Sequence, residues 1–177
     1  MILTLISTTA MSGTETNITS GIDSDYKEYW FVFTDVEPAT DGSLLQFQGS
    51  IDAGSNYNVA ITASSWDIYG REDDSNQNVR NNTASQQGTS YFPITAGIGG
   101  GAASDECAAG IFKLYNPSED GTFVKHFTST FSMHRSDDYM DVYSTGGYLN
   151  TTSNIDAVSF GANSGNIVGT LQFFGVN

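Results

Sequence analysis

The sequence predicts an all-β domain, an antiparallel sandwich of two sheets built from about ten short strands. Three observations predict it. Apolar and polar residues alternate with period two in short runs. Clusters of Gly, Asn, Asp and Ser separate those runs, and such residues break strands and make turns. Nowhere does a helical period persist for three turns. Periodicity cannot choose the strand order, and a jelly-roll-like arrangement is the form expected.

The strands are read in chain order. Met1-Ile2-Leu3-Thr4-Leu5-Ile6 lacks the basic start of a signal peptide, so residues 2–7 are a first strand and classical export is not expected. Residues 26–33, YKEYWFVF, are apolar on both faces from Tyr29 onward, which predicts a central strand covered on both sides. Residues 44–51 place Leu45, Phe47 and Ile51 on one face and Gln46 and Gln48 on the other. Residues 57–62 alternate in the same way, and a single turn of helix is expected near 64–69. Further strands follow at 107–115, 122–131, 139–148, 155–161 and 166–174. Pro38 to Gly42, Asn116-Pro117 and Ala162 to Gly165 read as turns. Residues 70–90 and 95–106 read as long loops, where function concentrates.

The chain has 177 residues and no linker or fixed repeat, so residues 1–177 are read as one domain. Hydrophobic residues make up only 38%, but eleven Phe, nine Tyr and two Trp supply a core. The 20 acids outnumber the 6 bases, for a net charge of -14. That field repels phosphate backbones and anionic lipid, so neither nucleic acid nor a membrane is an expected partner. A cationic partner surface or bound cations suit it better. No stretch approaches the length of a membrane span.

Few residues suggest chemistry. The run Gly97-Ile98-Gly99-Gly100-Gly101 resembles a phosphate loop only superficially, for no Lys-Ser/Thr follows and Asp105 and Glu106 would repel phosphate. Cys107 is the only cysteine, and it reads as a small buried hydrophobe at a strand start. His126 and His134 lack the companions that a zinc site needs, although Asp137 and Asp138 follow His134. No Gly-x-Ser-x-Gly elbow is present to position a nucleophile, and no catalytic residue is assigned. Carboxylates do come in close sets: Asp23 with Asp25, Asp35 with Glu37, Glu72-Asp73-Asp74, and Asp137-Asp138. Paired acids can cleave glycosides, and acidic loops can hold calcium. No EF-hand spacing occurs, and Glu72, Asp73 and Asp74 are the calcium candidates. Trp66, Tyr69, Tyr91 and Tyr143, near loops or strand ends, are the candidates for stacking on a glycan or meeting a partner. Sequons at Asn17, Asn81 and Asn150 carry no meaning in a chain so rich in Asn and Thr.

Three segments together resemble a group of short virion proteins of marine tailed bacteriophages. They are Ser20-Gly21-Ile22-Asp23-Ser24-Asp25-Tyr26-Lys27-Glu28-Tyr29 continuing through Phe33-Thr34-Asp35-Val36-Glu37-Pro38-Ala39-Thr40-Asp41-Gly42, then Val124-Lys125-His126-Phe127, and last Asn150-Thr151-Thr152-Ser153-Asn154-Ile155 leading to Ser164-Gly165-Asn166-Ile167 and Gly169-Thr170-Leu171. The resemblance spans most of the chain from about residue 14. It implies a non-enzymatic structural protein on the exterior of the phage particle, made in the bacterial host cytoplasm. A capsid decoration role is expected ahead of a tail-fibre-like one. The implied partners are major capsid or tail proteins and further copies of the chain, a trimer among the expected assemblies. A lectin-like, glycan-binding module is the alternative. The resemblance brings no site residues.

Overall fold

The computed structural model describes residues 1–82, 87–101 and 105–177. Among these residues the chain forms thirteen strands and no helix. In order they are β1 (Leu3–Met11), β2 (Glu15–Ile18), β3 (Glu28–Pro38), β4 (Leu45–Ser50), β5 (Ile61–Arg71), β6 (Gln77–Asn82) and β7 (Gln87–Gly88). Then follow β8 (Phe92–Pro93), β9 (Ala108–Tyr115), β10 (Lys125–His134), β11 (Tyr139–Leu149), β12 (Ala157–Ala162) and β13 (Ile167–Val176).

They make two antiparallel sheets, as a sandwich requires. The large sheet runs β1-β13-β3-β9-β10-β11-β5-β6, with β7 also pairing β5. The small sheet runs β2-β12-β4-β8. Alternation sets which side chains meet. Tyr29, Phe31 and Phe33 of β3 point inward and are buried, as are Phe112, Phe127, Phe131 and Phe173 of neighbouring strands. Phe47 and Phe160 reach them from the small sheet. Phe47 lies 4.5 Å from Phe112 and 4.6 Å from Phe127, and Phe160 lies 5.2 Å from Phe31 and 5.0 Å from Phe33, between ring centres. Most of these pairs are tilted or edge-on, the arrangement ring quadrupoles favour, worth about 0.5–1.5 kcal/mol each beyond area burial.

Two buried polar devices close one end of the sandwich. Tyr29 is wholly buried, and its hydroxyl donates to the Asp23 carbonyl at 2.9 Å; burial pushes this phenol up to about 12. Lys125 is also buried, donating to the Phe123 carbonyl at 2.6 Å, the Thr152 carbonyl at 3.2 Å and Glu119 at 3.2 Å. One ammonium thus ties two loops to the start of β10.

Several expectations need correction. Residues 64–69 are not a turn of helix but the middle of β5, because they pair with both β11 and β6. The expected strand at 57–62 contributes only its last two residues to β5. The expected loop at 70–90 contains β6 and β7, while residues 83–86 lie outside the described residues. The other expected loop is irregular where described, and residues 102–104 lie outside. Gln48, on the face opposite Phe47, is buried and donates to the Thr89 and Ser90 carbonyls, while Ile51 is exposed rather than packed with Leu45 and Phe47. Nor is β3 covered on both sides, for Trp30 and Val32 on its outer face are only half-buried. Cys107 is half-buried rather than buried.

Candidate functional site

Strands β5, β6 and β11 carry most of what is unusual in this molecule. Odd-numbered residues of β5 and β11 face inward and even-numbered ones outward. The inner face should be apolar, and over most of the large sheet it is. Near the β6 edge it instead holds Asp67 and Asp141, both wholly buried. The register crosses them with tyrosines: Asp67 lies opposite Tyr143, and Asp141 opposite Tyr69. Arg80 lies opposite Asp67 on β6 and pairs with it through both nitrogen positions, the Nε bond being 3.2 Å. Arg135, in the turn between β10 and β11, reaches Asp141 at 3.5 Å and Asp137 at 2.9 Å.

The two buried carboxyls interact. Desolvation and the neighbouring Asp67 push Asp141 up to about 7, against the pull of Arg135 and Arg80. Asp141 Oδ1 has no donor in reach. Protonated Asp141 is the form that can donate a hydrogen bond to Asp67. The pair works as a base plate for the arginines. Arg80 and Arg135, with Tyr143, Pro93, Thr95 and Ser136, line a cleft of about 430 Å³ where the small sheet has run out. All three arginines of the chain gather on two tyrosines here. Arg135 lies 5.3 Å from the Tyr139 ring and 5.7 Å from Tyr69, Arg80 is 5.2 Å from Tyr69, and Arg71 is 5.6 Å from Tyr139.

The outer face of the same strands is different. Ile68 has Val142 directly opposite on β11 and Val79 directly opposite on β6. Trp66 and Met140 flank this trio, and Trp66, Ile68, Val79 and Met140 are each exposed. A groove of about 600 Å³ runs past Ile68, Val79 and Met140 to Arg71, Glu72 and Asp74.

The residues singled out in the sequence do not form one site. Trp66 stands on the outer face, Tyr69 lies between the arginines, and Tyr143 is buried beneath the cleft. Tyr91 belongs to the layer covering the small sheet and donates to Ser159 at 2.9 Å. The three calcium candidates share the β5–β6 turn but turn to different partners. Glu72 approaches His134 at 3.5 Å, Asp73 pairs with Arg71 and accepts from the Ser75 amide, and Asp74 takes a positive φ of 59°. Among the described residues no group of three His, Cys, Asp or Glu is arranged to hold a metal.

His134 therefore meets Glu72, not Asp137 or Asp138. Cys107, Ser132, His134 and Glu72 line a further hollow of about 370 Å³. The thiol there is pushed up by burial and then by Asp35, Glu37 and Asp105, which favours its protonated form. His126 stands exposed on β10, with its ring 5.8 Å from Tyr148.

The sequence reading missed Asp67, Asp141, Arg80 and Arg135. A signal was present. Trp66-Asp67-Ile68-Tyr69 and Met140-Asp141-Val142-Tyr143 repeat one pattern, with aspartate in the register that faces inward. No family model, no curated protein and no solved structure matches the chain. What the fold defines on its own is a two-sheet antiparallel β-sandwich.

Proposed function

We propose that this chain is a non-enzymatic structural protein displayed on the exterior of a tailed bacteriophage particle, as a capsid decoration protein ahead of a tail-fibre-like appendage. The resemblance of the three segments supplies the virion context. One geometric observation carries the structural role: the broad outer face of the large sheet is almost free of carboxylates in a chain of net charge -14. Its outward positions on β9 and β10 hold Ala109, Ile111, Lys113 and Tyr115, then His126, Thr128, Thr130 and Ser132. Both tryptophans lie on this face, Trp30 beneath Lys113 and Trp66 beside Ile68. Carboxylates meet it at its borders, through Glu28 and Glu37 on β3 and through Glu72 beside His134. A sandwich that keeps one face poor in carboxylates while its other surfaces bristle with acids is built to lie against another surface.

Its partners would be major capsid or tail proteins, together with further copies of itself. Quantitative mass spectrometry of purified particles from the phage that encodes the chain tests this reading. A copy number close to that of the major capsid protein supports decoration, and one close to that of a tail fibre supports the appendage. Absence from the particle overturns both.

A glycan-binding reading has one observation behind it. Trp66 is 47% exposed, with Ser144 and Asn81 beside it in register as hydrogen-bonding neighbours for sugar hydroxyls. Binding on a glycan array that disappears in Trp66→Ala would favour it.

A further inference from the structure

We infer that the outer face of the large sheet is a self-association surface, and that its occupant is the same face of a second copy of this chain. The inference deepens the structural reading above by naming one partner and the residues that meet it. It begins from charge. Two copies, each of net charge -14, repel wherever acids line their surfaces. On the outer face that obstacle is missing. From Leu5 on β1, across Val32 and Ile111, to Val142, Ile68 and Val79 at the other edge, the outward positions between the borders carry apolar, hydroxyl, amide and imidazole side chains and no carboxylate. Lys113 is the charged group within it, held 3.9 Å over the Trp30 ring.

Size also fits. Eight strands stand side by side. At about 4.8 Å between strands and about 3.3 Å per residue, eight strands of eight residues cover roughly 900 Å². A stable dimer needs about 800 Å² from each partner. The exposed apolar side chains fall where such a contact would use them. Leu3 and Leu5 lie on β1, Val168 on β13, and Trp66, Ile68 and Val79 on β5 and β6. A face meeting its own copy around a two-fold axis is isologous, so each residue is used twice. Two twisted sheets stacked face to face align at about 30°, as sheets do inside a sandwich.

Self-association is the occupant that the charges favour. A strongly cationic partner would find its complement on the acidic loops instead. An uncharged sugar would use Trp66 and leave the rest of the face empty.

Sedimentation equilibrium of the full chain from 1 to 100 µM, on the order of common protein Kd values, tests the inference. The expected result is a dimer that tightens as salt is raised, since salt screens the residual repulsion. Ile68→Glu places a carboxylate at the centre of the apolar trio and, by symmetry, does so twice. It should weaken the dimer at least tenfold. Phe123→Glu, at an exposed position off this face, should leave association unchanged. At a dilution where wild type is monomeric, both variants keep its melting temperature if they fold normally, and Trp66→Ser serves as a second probe should Ile68→Glu melt early there. A monomer at every concentration, or a trimer indifferent to both face substitutions, overturns the inference. Those outcomes leave the particle reading intact, because mass spectrometry decides that separately. A protein that dimerises through this face yet is missing from the particle would do the reverse.

Discussion

Asp141 is a carboxyl that keeps its proton into the neutral range, and this gives the molecule a pH dependence opposite to the usual one. Its ordinary value is 3.8, and in the fold it rises to about 7 through desolvation and the proximity of Asp67. Between those values the folded chain holds a proton that the unfolded chain has released. Stability is therefore highest at the acid end of this window and declines as pH rises to about 7. Above it Asp141 is ionised in a buried place, facing Asp67 and Tyr69 of β5, Arg80 of β6 and Arg135 of the neighbouring turn. The carboxylates of Asp52, Asp73 and Glu119 are held below their ordinary values by hydrogen bonds, so they act in the opposite sense and only in more acid solution. Asp141→Asn keeps the shape, donates permanently to Asp67 and removes the titration. It should stabilise the protein by about 1–3 kcal/mol at pH 8 relative to wild type and change little at pH 5. Urea unfolding at pH 5, 6.5 and 8 measures this. A variant with the same decline as wild type would show that another group carries it.

At the scale of the strand, a tight junction lies between β9 and β10. Gly110 sits opposite Phe131, whose ring lies against the glycine backbone, and the Thr130 carbonyl is also in contact with the space a side chain would fill. A methyl there would displace a ring that packs on Phe33 in the core. Gly110→Ala should cost about 1–3 kcal/mol, as overpacking does. Thermal melting reads it as a lower Tm, and a neutral result would mean that β9 can slide outward without loss. The period-two signal made most strands legible, β10 and β13 above all, because their inward residues include Phe127, Phe131 and Met133 on one and Ile167, Leu171 and Phe173 on the other. It failed at β5 and β6 for a physical reason. The inner positions there are Ser65 and Asp67, so alternation between apolar and polar collapses. Strand β6 is rich in Asn and Gln, and pairing with β5 rather than propensity makes it a strand. Cross-strand sites suffer the same blindness: the separation of Asp67 from Asp141 in sequence conceals their contact.

Over the whole molecule, net charge was legible and its distribution was not. Composition gives -14, but only register shows that the acids avoid the outer face and that the three arginines collect at one corner. This anisotropy divides electrostatics into two parts. Locally, Arg80 with Asp67 and Lys125 with Glu119 attract. Globally, the excess of acids repels, and salt weakens that long-range part first, because buried pairs are poorly screened. Raising ionic strength to about 0.5 M shortens the screening length to about 4 Å. The folded state should then gain, with a rise in Tm of roughly 2–4 °C for about 1 kcal/mol in a domain of this size. Association through the outer face would add to that rise, so the monomeric Ile68→Glu variant separates the two contributions. If its Tm climbs with salt as the wild type's does, repulsion within one chain is responsible. If its Tm stays flat while the wild type's climbs, salt stabilises the protein by bringing copies together, and the outer face is where they meet.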